Sequence, residues 1–437
     1  MFAPTLPHLF VKNLDLLTLG DELLLGLREN GHLHYLGGEF ARYGLPLRRN
    51  LVVRDAPAEI EAAFREMWES ADVVVTTGGL GPTSDDNTRE AVARVLGLPL
   101  EFDAQAEAAI RERFARMGRQ INDVDRRQCY KPRGSGLLRN RFGTAPGIYL
   151  ERDGKILVML PGPASELRPM FDNEVVPRLR EAGVLSPVEA YLQLRTSGLA
   201  EVLVEQRIRP VVDKYPGLGL AFCAHQGLVD VRIAPGERDF SPAQLKAIGG
   251  ELRLMLDEDF ACYGHAPLAQ VVLDELRTRA ATLAVAESCT GGLLANALTD
   301  IPGASKIFLG GVVSYTNDAK VQMLDVPEDI LLQHGAVSAE AAVAMATGVA
   351  ERFGADYAIS ATGLAGPDGG SEQIPVGTVF LGYSSPNGAW AQKMVFPGDR
   401  LTVKARAVNA ALDWMRRKLL KYKVEDLLAA SSGAETG

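Results

Sequence analysis

The chain has 437 residues, 47% of them apolar, and a net charge of −9. That length suits two to four domains with proper cores. The acidic balance argues against broad nucleic-acid binding, which needs a Lys/Arg surplus to meet phosphates. Cys129, Cys223, Cys262 and Cys289 are far apart with no CxxC pair, which argues against zinc ligation and a disulfide framework and suits a reducing cytoplasm. Met1-Phe2-Ala3-Pro4 opens neither a basic n-region nor a long apolar h-region, and no apolar run reaches membrane-spanning length. The expectation is a cytoplasmic protein with no membrane and no nucleic-acid partner.

In chain order, residues 14–20 read as a first strand, followed by a helix to about Tyr43. Leu51–Val53 reads as a second strand and Pro57–Ser70 as an amphipathic helix with proline at its start. Asp72–Thr77 is an apolar, β-branched strand of the kind found in a parallel sheet covered on both faces, and a helix follows to Leu96. This βαβαβα rhythm predicts a doubly wound α/β sheet with ligands beyond the strand C-termini. Between that strand and helix, Gly78-Gly79-Leu80-Gly81-Pro82-Thr83 can present backbone N–H groups to a phosphate. It is neither a Walker loop nor GxGxxG. Asp85 and Asp86 beside it could hold a hard cation such as Mg²⁺, or cap the next helix. Gly143–Gly147 and Leu160–Pro163 are two more small-residue loops that could line the same rim.

From Val175 to Ala261 the pattern becomes a small α+β unit, with strands at 192–196, 219–224 and 228–233 and helices at 201–214 and 242–257. It reads as a connecting or dimerising domain. A KH-like RNA module is disfavoured because no basic GxxG loop is present. Residues 263–425 form a last α/β domain, and the polar stretch 429–437 reads as a disordered tail.

In that last domain, the apolar run 281–285 reads as a buried strand leading into Ala286-Glu287-Ser288-Cys289-Thr290-Gly291-Gly292 and a helix from Leu293. Such a turn can hold a serine at a helix N-terminus, where free N–H groups favour an oxyanion; a capping serine in a tight turn is the plainer alternative. Further strands at 310–315 and 356–360, a helix at 340–353 capped by Ser338, an antiparallel pair at 376–383 and 389–396, and a helix at 401–420 complete the domain. Ser288, Tyr315, Lys320 and Thr362 all fall at or just after strand C-termini. The histidines lie elsewhere, with only His334 in the vicinity, so a Ser–His–Asp triad is poorly supported. A lysine whose pKa is lowered by burial can replace the histidine, and Lys320 is the candidate base. Tyr315 could orient the serine, Thr362 and the N–H groups near Gly291 could hold a carbonyl oxygen, and Arg400 could hold a phosphate or carboxylate. Taken singly, each could equally be an ordinary surface or turn residue.

These residues stand in AESCTGG (286–292), SYTNDAK (314–320), GAVS (335–338), TGLAGPDGG (362–370) and PVGTV (375–379), and in this order the sequence resembles the CinA family over roughly residues 14–425. The resemblance implies a C-terminal nicotinamide-nucleotide amidase domain that needs no cofactor. Nicotinamide mononucleotide would be hydrolysed to the acid and ammonia, with Ser288 and Lys320 as the reacting pair, Tyr315 and Thr362 beside them, and Arg400 (or Arg406), Gly291, Gly292 and Gly363 binding substrate. GDELLLG (20–26), TGGLGPTSDD (77–86), GTAPG (143–147) and LPGP (160–163) resemble the family's MoaB/MogA-like, molybdopterin-binding N-terminal domain. In some members this domain is an ADP-ribose pyrophosphatase needing a divalent metal. Here that would place Gly78, Gly79 and Thr83 on the nucleotide and Asp55, Asp85 and Asp86 on the metal. The chain departs from that pattern at Asn30-Gly31-His32, at Arg54 and at Ser84. The implied domains are 1–174 (MoaB/MogA-like), 175–262 (KH-like, connecting), 263–425 (amidase) and 426–437 (tail), in a homodimer.

Overall fold

The structure is a computed structural model that describes the backbone of residues 12–433 and the side chains of residues 12–421. It divides into two compact units between Tyr191 and Leu192.

The N-terminal unit is built on a six-stranded sheet in the order Leu47–Val53, Leu14–Leu19, Val73–Thr77, Lys155–Leu160, Gly147–Arg152, Gly136–Leu138. The first four strands are parallel, Gly147–Arg152 runs antiparallel to them, and Gly136–Leu138 pairs antiparallel with it in turn. Side chains alternate between two cores. Leu14, Leu16, Val73 and Val158 meet Leu36, Phe40 and Phe171 on one face. Leu17, Val74, Leu157 and Met159 meet Ile60, Phe64 and Val92 on the other. Both faces are therefore covered, as the apolar strand Val73–Thr77 led one to expect. The helix expected from Gly20 to Tyr43 is interrupted. A short turn, Asp21–Leu24, gives way to an irregular stretch, and the helix Gly31–Arg42 starts only where the Asn30 side chain accepts the Leu33 N–H. Residues 97–142, unassigned from sequence, contain the helix Ala104–Arg116, capped by Asp103, and a short strand pair. The boundary expected at 174/175 lies later, because Val175, Val176, Leu179 and Leu185 are buried in the N-terminal core.

In the second unit, residues 192–263 fold as βαββαβ. The antiparallel strand order is Leu218–His225, Leu228–Pro235, Leu192–Ser197, Phe260–Tyr263. Helices Glu201–Val212 and Pro242–Leu256 pack on this sheet through Val204, Ile208, Leu245 and Leu252. This is the ferredoxin-like split arrangement rather than the KH-like one expected. The difference arises from the edge strand Phe260–Tyr263, too short and mixed to stand out in the sequence.

The remaining residues form a five-stranded sheet in the order Phe308–Val313, Leu283–Glu287, Tyr357–Gly363, Thr378–Ser385, Gly388–Val395. The first three strands are parallel, Thr378–Ser385 runs antiparallel to them, and Gly388–Val395 pairs antiparallel with it in turn. Leu283, Val285, Ile359 and Ala361 pack on the helices Leu268–Thr278 and Arg400–Gly433. Ala284, Ala286 and Ala358 pack on Ala339–Phe353. Strand Leu283–Glu287 comes first in this sheet's sequence order but lies between its two parallel partners. The chain leaves its C-terminal end at a topological switch point, where open α/β sheets leave a crevice for ligands. Among the described residues, no helix is long and apolar enough to cross a membrane.

Candidate functional site

Three chain segments meet at that switch point. Beyond Glu287, the Ser288 N–H still donates to Ala361 O (2.9 Å) and the Ser314 N–H to Glu287 O (2.8 Å), so the ladder extends one residue past the strand and fixes Ser288 between its neighbours. Ser288 is 8% exposed. The helix Asn317–Leu324 begins just after Tyr315, with the Thr316 hydroxyl accepting the Ala319 N–H. Its first turn carries Lys320, which is 1% exposed. Lys320 Nζ donates to Ser288 Oγ (3.0 Å) and to Ser314 O (2.8 Å). Burial pushes the Lys320 pKa below the ordinary lysine value. A lysine in this setting is neutral more readily than one in water, and it points that nitrogen at a serine hydroxyl. Nearby in sequence, the buried hydroxyls of Thr290 and Ser314 have no protein partner. Such groups cost about 1–3 kcal/mol each when nothing pairs with them.

The turn after Ser288 is held differently from expectation. The Glu287 carboxylate, buried, accepts the N–H groups of Gly292 (2.9 Å), Leu294 (3.0 Å) and Ala295 (2.8 Å). It satisfies the helix N-terminus that would otherwise have been free for an oxyanion. The Gly291 N–H donates to Ser288 O. Gly291 and Gly292 are therefore turn formers with positive φ (62° and 95°), and their N–H groups are spent inside the turn. Gly363 is required by packing, since a Cβ there would stand 2.5 Å from Thr378 O. The Cys289 and Thr290 N–H groups, just past the serine, donate to no protein acceptor among the described residues. Thr362 is buried in the neighbouring strand with its hydroxyl donating to Ala336 O (2.6 Å), so its proton ties the loop before helix Ala339–Phe353 to the sheet. Tyr315 lies beyond the strand end rather than in it, 59% exposed, and accepts from Arg400 Nη2 (2.7 Å). Arg400 Nη1 also donates to Gly366 O (2.7 Å). Arg406, the alternative to Arg400, faces elsewhere and donates to Pro397 O. His334 is paired with Glu340, not with Ser288.

Sequence reading passed over Glu287, Ser314 and Lys404. A methyl group built on Gly291 would lie 3.5 Å from Lys404 Nζ, which places this lysine of the last helix against the serine turn. The available signal was that Lys404 follows Arg400 by four residues, one helical turn on the same face.

In the N-terminal unit, the loops after Leu19, Thr77 and Leu160 rise from parallel neighbours. The loop Gly143–Gly147 joins the same edge because strand Gly147–Arg152 runs antiparallel there. Gly78 and Gly79 take positive φ (97° and 66°). Buried Arg89 grips Leu80 O (2.7 Å) and Gly81 O (3.2 Å). Asp86 and Asp55, proposed from sequence as metal ligands, lie in different surroundings. The Asp86 carboxylate accepts both the N–H and the hydroxyl of Thr83, closing the loop on itself. Asp55 sits near Asp21, Glu22 and Asp85, and burial with those like charges raises its pKa. Yet no three His, Cys, Asp or Glu side chains among the described residues converge on one point. His32, at one of the positions where the chain departs from the family pattern, bridges Thr77 Oγ1 (3.0 Å) and Gly162 O (2.6 Å) across the rim.

Comparison with known proteins divides the chain in the same way. A model of the CinA C-terminal domain matches residues 265–419, and one of a probable molybdopterin binding domain matches residues 15–181. The chain is 40% identical over 404 residues to a putative competence-damage inducible protein of Desulforudis audaxviator, covering 91% of this chain and 97% of that one. It is 40% identical over 421 residues to a protein of the same description from Symbiobacterium thermophilum, covering 93% and 99%. A crystal structure of a competence/damage inducible protein from Agrobacterium tumefaciens is 40% identical and covers 34% of this chain and 91% of its own, with a TM-score of 0.33.

Proposed function

The chain belongs to the CinA family, and from that premise we propose that its C-terminal domain is an amidohydrolase that deamidates nicotinamide mononucleotide, with Ser288 as nucleophile and Lys320 as general base, in pyridine nucleotide salvage. The observation that carries this reading is the 3.0 Å contact between a buried lysine nitrogen and a serine hydroxyl. A serine needs a base to attack an amide. Lys320 meets the geometric requirement of about 2.6–3.2 Å for that role, and burial supplies the lowered pKa.

In the first half-reaction, Ser288 Oγ attacks the amide carbon while neutral Lys320 takes its proton. The resulting ammonium gives that proton to the departing nitrogen. Ammonia leaves and an acyl-serine ester remains. Water then attacks the ester, with Lys320 accepting a proton from it and returning one to Ser288 Oγ as the acid departs. The Cys289 and Thr290 N–H groups are the donors available for the carbonyl oxygen. Glu287 and Thr362 are positioning residues: one locks the serine turn and the other the adjacent strand.

Ammonia release from nicotinamide mononucleotide tests the reading. Ser288→Ala should lower it by about 10⁴-fold or more with the fold unchanged. Full activity in that variant, or none in folded wild type, would sink it. For the N-terminal domain no observation favours a metal-dependent pyrophosphatase over a binding role. Its Gly-rich loop, gripped through carbonyls by Arg89, is suited to holding an anionic ligand such as a pterin or nucleotide phosphate.

A further inference from the structure

We propose that Asn317 reads the carboxamide of the substrate, pairing its own side-chain amide with it, so that a primary amide is held at Ser288 and the acid product is released. This rests on the amidase reading and goes beyond it by assigning the choice between amide and acid to a named side chain. Asn317 opens the helix Asn317–Leu324, whose first turn also carries Lys320. The Lys320 N–H donates to Thr316 O (3.1 Å), so the turn is helical from its start. Residues three apart on a helix are neighbours on its surface, with Cβ atoms about 5–6 Å apart. Asn317 is therefore a neighbour of the lysine that reaches Ser288 Oγ (3.0 Å). It stands about 4.5 Å further along the axis toward the helix N-terminus. That is the end at the rim, because the chain enters this helix from the C-terminal end of strand Phe308–Val313. Lys320 is buried below the rim, and Asn317 is exposed on it.

The usual work of an asparagine at a helix start is already done here. Thr316 caps the helix, its hydroxyl accepting the Ala319 N–H (3.2 Å). Asn30 accepts the Leu33 N–H, Asn87 donates to Ser84 O and Asn140 donates to Ala145 O, whereas the Asn317 side chain makes no hydrogen bond among the described residues. The next polar residue, Asp318, is two positions from Lys320, a spacing that does not share a helix face. An asparagine carboxamide carries one acceptor oxygen and two N–H donors. A primary amide carries the same set, so the two pair head to tail with one N–H···O bond in each direction. The substrate carbonyl oxygen keeps a second lone pair for the Cys289 and Thr290 N–H groups. Hydrolysis replaces the substrate NH₂ by oxygen. The carboxylate has no N–H for the Asn317 oxygen, so one of the two bonds is lost and the product leaves more readily than the substrate.

The test makes two comparisons in the full-length protein. In a Ser288→Ala background, which removes the proposed nucleophile, calorimetry measures the binding of nicotinamide mononucleotide and of nicotinate mononucleotide. The amide should bind about tenfold tighter than the acid, as one hydrogen bond gained or lost predicts, and adding Asn317→Ala should shrink the difference to about twofold or less. In the enzyme with Ser288 intact, kcat/KM for nicotinamide mononucleotide relative to the methyl ester of nicotinate mononucleotide should fall about tenfold in Asn317→Ala, because the ester has no N–H to lose. Equal binding of amide and acid, a preference that survives Asn317→Ala, or equal losses on amide and ester would overturn the assignment. If wild type releases neither ammonia nor methanol while the binding preference depends on Asn317, the amidase fails and the carboxamide contact stands. If wild type releases ammonia and neither ratio moves in Asn317→Ala, the carboxamide contact fails and the amidase stands.

Discussion

The two α/β domains present the same topological opportunity and use it in opposite ways. Each places its first strand between two parallel neighbours, so that small-residue turns rise at one edge. At the N-terminal edge the loop groups pair with one another, Thr83 with Asp86, His32 with Thr77 and Gly162, and Arg89 with two loop carbonyls, while the Thr76 hydroxyl and Arg89 Nε are left without a partner and no nucleophile–base pair forms among the described residues. At the C-terminal edge the structural polar groups are satisfied too, by Glu287 and Thr362. There, among the described residues, a lysine–serine pair, two orphaned hydroxyls and a lysine, Lys404, with no carboxylate partner are left over. A loop closed on itself holds a shape, whereas polar groups buried without partners store free energy that a ligand can recover. The lesson is that fold position alone does not make a reactive site. What matters is which polar groups the local packing leaves unspent.

The sharpest way to break this contrast is Lys320→Met. Ammonia release should fall about 10⁴-fold, and the melting temperature should rise by about 2–4 °C because a buried amine without a carboxylate is removed. The folded-state pKa of Lys320 is lowered, so between the folded and unfolded pKa values the unfolded chain binds more protons and wild-type stability rises with pH. The advantage of the variant should therefore be full at neutral pH and shrink as pH approaches the ordinary lysine range. Thermal melts across pH check this, and a gap that widens with pH would contradict it. In wild type, kcat/KM should rise with pH on its acid limb as Lys320 loses its proton.

Glu287→Gln comes next. It keeps the size but weakens three N–H contacts to a buried carboxylate, and should cost about 2–3 kcal/mol in denaturant unfolding and roughly tenfold in activity as Ser288 loses its fixed orientation. In the N-terminal domain, Asp86→Ala should cost only about 1 kcal/mol by opening the Thr83 loop, with ammonia release unchanged. Calorimetry on wild type should detect no tight Mg²⁺ site for this substitution to remove, and a stoichiometric site lost in the variant would restore the metal reading. The smallest effect belongs to His32, whose pKa is pushed down chiefly by burial. Its contribution is present above the ordinary histidine value near 6.5 and is lost as pH falls below it, because the unfolded state then binds the extra proton. His32→Asn should flatten that acid dependence in melts followed by an N-terminal probe.

Much of this arrangement was legible along the chain. Alternating apolar runs and short helices marked both sheets, the small-residue stretches marked the turns at their edges, and Ser338 announced its helix as a cap. Ser288 and Lys320 stood out because both followed strand ends in runs too small and polar to be core. Elsewhere local pattern misled. The interrupted first helix hid behind leucines 23–27, and the edge strand Phe260–Tyr263 behind its brevity. Asp86 read as a metal ligand, and the chain did not announce that its carboxylate would accept from Thr83 three residues back.

What the sequence determined by itself was the set of elements and the residues at their ends, because hydrophobic periodicity and turn chemistry are local properties written in neighbouring residues. What only the tertiary structure decided was which of those end groups would be spent and which left over. Glu287 reaches the amides of the next helix, Thr362 reaches Ala336, and Lys404, more than a hundred residues from Ser288, comes to rest against Gly291. Hydrogen bonds and charges are satisfied by proximity in space. The chemistry of an end group depends on neighbours that spacing along the chain does not name.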